Sequence, residues 1–192
     1  MSVRTFKKIE YNSPVILTFA GLSLAALIIN YITFGESNKL LFSVYRSSPN
    51  SILFYLRLFL HVLGHENFSH YIGNMMLFLL LGPIMEEKYG SRNIIIMIAS
   101  IALMSGFINI MLFPRVALLG ASGVVFGLIV LSSMTGLKGG KIPLTLILVL
   151  IMYLGQEIYS GLFVSDNVSQ LTHIIGGMIG CIFGFALKGR SA

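Results

Sequence analysis

The chain has no tryptophan, a single cysteine and a single aspartate, and only 10% of its 192 residues are charged. Each shortage excludes something. One cysteine, Cys181, cannot form an internal disulfide, so no oxidising staple holds the fold together. A soluble domain covers its surface with roughly 25% charged residues. This chain falls far short of that, while 56% of it is apolar. Lipid must therefore serve as part of its solvent. A net charge of +6 would suit a nucleic-acid binder, but the lysines and arginines stand at the ends of apolar runs, so nucleic acid is not expected as a partner.

What is present is a series of apolar runs within a length that suggests one domain. A bilayer core of about 30 Å takes about 20 apolar residues in a helix. Six spans are expected: Pro14–Phe34, Ser69–Met85, Asn93–Phe113, Gly120–Thr135, Ile142–Phe163 and Ser169–Leu187. The first follows Arg4, Lys7 and Lys8, as a signal peptide would. It is longer than such an apolar core and shows no obvious cleavage site, so it reads as a retained span. With the N-terminus inside, the cytoplasmic cations are Arg4, Lys7, Lys8, Lys88, Arg92, Lys138, Lys141, Lys188 and Arg190, and the outer ones Lys39, Arg46, Arg57 and Arg115. Nine against four gives N-in, C-in. The expected organisation is an N-terminal cytoplasmic segment (1–13), a membrane domain (14–188) and a short cytoplasmic tail (189–192). The long first connection contains "SILFYLRLFLHVLGHENF", too interrupted to span and too apolar to float in water. It reads as an interfacial, partly embedded segment.

Ionisable groups within a membrane are costly and point to function. His61, His65 and His70 precede or open the second span, and His173 lies near the start of the sixth. His70 and Asn74, four apart, share a helix face. Together they are either interhelical glue or donors aimed at a transient anion. "GASG", Gly120–Gly123, opens the short fourth span. Its serine either marks a helix contact, where small residues are routine, or is a nucleophile at a helix start, where unpaired N–H groups favour developing negative charge. Gly120 and Gly123 let backbone and substrate approach closely. In the sixth span Gly176 and Gly180 form a GxxxG face, with His173 on nearly the same side. If that face packs on the fourth span, His173 sits beside Ser122 and can serve as its base. No carboxylate lies in an apolar run near His173. A dyad is therefore favoured over a triad, with Asp166 as the alternative orienter.

In this order the motifs resemble the rhomboid family of intramembrane serine proteases. "GASG" is similar to that family's GxSG, and His173, Gly176 and Gly180 to its HxxGxxxG. His70 and Asn74, with His61 and His65 upstream, resemble its HxxxN helix. Glu86, Gly90 and Ser91 resemble its ExxxGS, and Arg57 its first-loop arginine. The resemblance spans about Arg57 to Gly180. It implies an all-α, six-helix membrane bundle without metal or cofactor, acting on single-pass transmembrane proteins cut in or near their membrane segment. Ser122 would attack the scissile carbonyl and His173 would be base, then acid. His70, Asn74 and the Ser122 N–H would hold the oxyanion, each donor being worth roughly 3–4 kcal/mol in such sites. Arg57, Glu86, Gly90, Gly120, Gly123, Phe126, Gly176 and Gly180 would be structural. The chain departs from the family at Leu56, where tryptophan is common, at Phe126, where tyrosine is frequent, and at Thr172, where alanine is usual. The compact chain suits a bacterial inner membrane, with the site toward the outer side. Zinc is disfavoured because no cysteine or carboxylate joins the histidines and HExxH is absent. A transporter is disfavoured because no inverted repeat is visible. A non-enzymatic relative would usually lack the serine or the histidine.

Overall fold

The computed structural model describes residues 10–136 and 167–187, with isolated helical positions between 144 and 155. The expected fifth span falls largely outside these residues. Glu157, Asp166, the Lys138–Lys141 turn and the terminal cations Arg4, Lys7, Lys8, Lys188 and Arg190 lie outside them as well. The helices are α1 (Pro14–Ile32), α2 (Ile52–Leu60, within the first loop), α3 (Phe68–Tyr89), α4 (Ser91–Leu112), α5 (Ser122–Ser133) and α6 (Asn167–Ala186). Three of them, α1, α3 and α4, are long and apolar enough to cross a bilayer. Among the described residues there is no strand beyond one isolated bridge between Val44 and Leu118.

Helix ends follow local chemistry. α1 stops at Ile32, short of the expected Phe34, because Phe34 and Gly35 adopt φ of +51° and +94° and turn the chain. α3 runs a turn beyond Met85 to Tyr89 and ends where Gly90 takes φ +83°. That left-handed position favours glycine.

α5 lies at the centre. Gly123 to Leu128, Val130 and Leu131 are all buried, the pattern of a helix that is apolar all round and enclosed by neighbours. It packs against α6, α3 and α4. Ile101 of α4 and Thr172 of α6 both press on its glycine side. α1 stands outside, against α3, where the methyl groups of Ile16 fill the space a side chain at Gly82 would need.

The first turn of α1 is held by a residue far away in sequence. Pro14 removes one orphan donor at the helix start. The Glu86 carboxylate accepts the next two, from Val15 and Ile16, at 3.0 Å each, and the Ser91 hydroxyl donates to it at 2.6 Å. Glu86 is buried, and these three donors are what make its burial tolerable. Removing the carboxylate leaves buried N–H groups unpaired. Glu86→Ala should destabilise the protein by roughly 2 kcal/mol, and Glu86→Gln, which keeps one acceptor, by less. Reversible unfolding in mixed detergent micelles measures both.

Candidate active site

The first loop is a folded platform. Buried Arg57 donates from Nε to the Leu40 carbonyl at 2.9 Å and from Nη1 to the Ser47 hydroxyl at 3.4 Å. Its guanidinium lies 4.4 Å from the Tyr45 ring centre. Asn38 donates from Nδ2 to the His65 carbonyl at 3.0 Å. The arginine thus ties three parts of one loop together, and Leu56 beside it is exposed.

This platform grips the chain that leads into α5. Val44 and Leu118 exchange both backbone hydrogen bonds, at 2.8 and 2.9 Å. Asn109, near the end of α4, donates to the Val44 carbonyl at 3.2 Å and the Val116 carbonyl at 3.0 Å. The Gly120 N–H donates to the His61 carbonyl at 2.9 Å. His61 Nε2 donates to the Ala102 carbonyl of α4 at 3.0 Å. His61 therefore joins first loop, α4 and the Gly120 turn at one point. Gly120 has φ +124°, and a Cβ there would lie 3.0 Å from His70 Cε1 and Nε2. The glycine is needed both for its backbone angle and for its contact with the imidazole.

Ser122 is the first residue of α5 and is half-buried. Ala121 at the cap offers no side-chain acceptor, so the first-turn N–H groups lack the usual cap. Across from it runs α6. A Cβ on Gly176 would overlap the Gly123 carbonyl, and one on Gly180 would overlap the Gly127 carbonyl. The reverse fit is close but looser, since a Cβ on Gly127 would lie 3.1 Å from the Gly176 carbonyl. Thr172 is buried with Cγ2 2.7 Å from where a Gly123 Cβ would be. Half-buried His173 is the next residue, and its ring centre is 6.1 Å from that of Phe126, one turn after Ser122. On α3, Asn74 is buried and donates from Nδ2 to the His70 carbonyl at 3.2 Å. That bond uses one of the two N–H donors of the amide.

The histidines form two groups. His61 and His65 have no exposed surface, whereas His70 and His173 are half-buried. Burial pushes the pKa of His61 down to about 4 against the gain from its Ala102 hydrogen bond. Burial, then the neighbouring His70, push that of His65 down to about 4, while Nδ1 donates to the Leu63 carbonyl at 3.1 Å. Sequence reasoning left undetected the cap from Glu86 to α1, the clamp by Asn109 and the Tyr45 ring on Arg57. Glu86 and Arg57 were visible only as motif residues. Asn109 carries a weak signal of its own, as an amide near the end of a long apolar span.

Residues 54–190, more than half of the chain, match the family model described as Rhomboid domain. The chain belongs to the rhomboid family. This is a family of intramembrane serine proteases, and the apolar helices fit an integral membrane protein. No curated protein gives a match.

Two outcomes follow from the geometry. Gly176→Ala should force α5 and α6 apart and destabilise by roughly 1–3 kcal/mol. Gly73→Ala, where nothing lies within 4 Å of the new Cβ, should be neutral in the same micellar unfolding assay. The buried histidines give an acid dependence. Both stay neutral in the fold, whereas unfolding returns them to about 6.5, so the unfolded chain binds more protons between those values. Their contribution is complete above about pH 6.5 and falls as the pH drops toward 4. The unfolding midpoint in detergent should decline over that window, and His61→Gln should flatten the decline while lowering the midpoint at neutral pH.

Proposed function

We propose that this rhomboid-family protein is an endopeptidase that cleaves single-pass transmembrane proteins in or near their membrane segment, through a Ser122–His173 dyad. The observation that carries the reading is the glycine contact between α5 and α6. It brings Gly176 and Thr172 onto Gly123 and sets the His173 ring against Phe126, so base and nucleophile belong to the same helix pair. In the proposed reaction His173 takes the Ser122 proton as Oγ attacks the scissile carbonyl. It returns that proton to the leaving amine, then activates water to release the acyl group. The Ser122 N–H, the His70 ring and the Asn74 amide face the developing oxyanion. Their support comes from the uncapped start of α5 and the contact of His70 with Gly120. Arg57, Glu86, Gly90, Gly123, Phe126 and Gly180 hold this arrangement without entering the chemistry.

The proposed setting is a six-span bundle (14–188), N-in and C-in, in a bacterial inner membrane. The site faces the outer side, and short cytoplasmic ends comprise 1–13 and 189–192. α1, α3 and α4 supply three of those spans by length. The exposed apolar face of α2, with Ile52, Tyr55 and Phe59, supports a first loop resting in the interface. No metal or cofactor has a part in this scheme.

Ser122→Ala and His173→Ala should each abolish cleavage of a reconstituted transmembrane substrate and labelling by a fluorophosphonate, with the unfolding midpoint retained. Full turnover in either variant refutes the dyad. Asn74→Ala should lower kcat by about 10²–10³ with little change in KM; a change confined to KM would assign it to binding instead.

A further inference from the structure

A groove of about 460 Å³ opens between α1, the first loop and α4, on the side of α4 away from α5. Thr18, Phe59, Val62, Ile95, Ala99 and Ala102 are among its walls. Thr18 carries the one hydroxyl in that lining, and its Oγ1 is already paired with the Tyr11 hydroxyl at 2.8 Å. An occupant therefore finds no open polar partner within the groove and must be a hydrocarbon there. One end differs. Arg92 stands one turn before Ile95 on the α4 face that continues through Ala99 and Ala102. It is exposed, and among the described residues it has neither a carboxylate nor a hydrogen-bond partner. An apolar trough with an unpaired cation one helical turn beyond its α4 wall complements a molecule with a long chain and an anionic head.

We infer that this groove binds one bilayer phospholipid of net negative headgroup, its acyl chain along α1 and α4 and its phosphate at Arg92. A substrate helix fits less well, because α4 turns Ile101 toward Gly123 and Gly127 while its groove face points elsewhere. A peptide in the groove would be screened from Ser122 by α4 itself. The site is nonetheless coupled to the Gly120 turn. Val62 and Ala102 line the groove, His61 precedes Val62 and donates to the Ala102 carbonyl, and its own carbonyl holds the Gly120 N–H. A chain filling the groove braces that junction. Lipid binding stands by itself; any effect on cleavage rests on the proteolytic reading.

Native mass spectrometry of the intact protein in detergent, titrated with phosphatidylglycerol or with phosphatidylcholine of identical chains, tests binding without reference to activity. Phosphatidylglycerol should be retained preferentially. Arg92→Gln should weaken its retention about fivefold and leave phosphatidylcholine unchanged. Ala99→Phe, which fills the groove, should remove the bound lipid while the protein stays folded by its unfolding midpoint. Equal retention of the two lipids, binding indifferent to Ala99→Phe, or displacement of the lipid by a synthetic transmembrane substrate peptide would each overturn the assignment.

Discussion

The contact between α5 and α6 is made by backbone. In lipid there is no hydrophobic drive to bring helices together, because acyl chains are as apolar as leucine side chains. Association rests on close van der Waals contact and polar bonds. Here carbonyls of α5 at Gly123 and Gly127 lie where side chains at Gly176 and Gly180 would have to be. The approach is possible only with hydrogen at Gly176 and Gly180, while Gly123 and Gly127 leave room on the facing side. Bulk surrounds this seam and closes it: Ile101 packs on Gly127, Phe126 on Gly177, and Met134 on Gly184. The two residues of the proposed dyad sit beside the seam, each next to or within one turn of a glycine. Each therefore lies beside a contact between helix backbones that leaves little room for adjustment.

The second constraint is the irregular backbone before α5. Non-helical chain at membrane depth is tolerated only where protein satisfies its polar groups. The stretch from Val116 to Gly120 meets that condition through Val44, Asn109 and His61. All three belong to the first loop or to α4, so these segments act as the hydrogen-bonding environment that water would otherwise supply. This explains why polar residues are buried far from any proposed chemistry. Asn38, Arg57, His61 and Asn109 are each structural donors to backbone carbonyls.

Much of this was legible in the sequence because membrane helices are written in long apolar runs and because glycine at four-residue spacing has few other uses. The described helices that fall on the expected spans end within about a turn of them, and the Gly176–Gly180 face meets the helix on which it was expected to pack. Two of the three hidden contacts share one property: each is a side chain acting on backbone at long sequence separation. Glu86 caps a helix some 70 residues earlier, and Asn109 reaches back 65 residues to Val44. No periodicity announces such pairs, since the acceptor is a carbonyl or an N–H that every residue carries. The carboxylate of Glu86 read from sequence as one half of a motif with Gly90 and Ser91, whereas its principal partners are on α1.

The four histidines show how burial sorts residues that sequence leaves equivalent. All lie in or beside apolar runs, and three fall within ten residues of one another. A fully buried imidazole is held neutral by desolvation and serves as a fixed donor, as His61 does toward Ala102. It makes a poor proton shuttle, because the charged state it must pass through is the state its surroundings reject. A half-buried imidazole keeps access to polar surroundings. His173 is half-buried and stands beside the glycine seam, against Phe126. His70 is half-buried as well and lies against Gly120. His61 holds the Gly120 turn through its carbonyl, while His65 is tied within the first loop to Leu63 and Asn38. Burial thus divides a single residue type between backbone-holding scaffold and the candidates for the proposed chemistry.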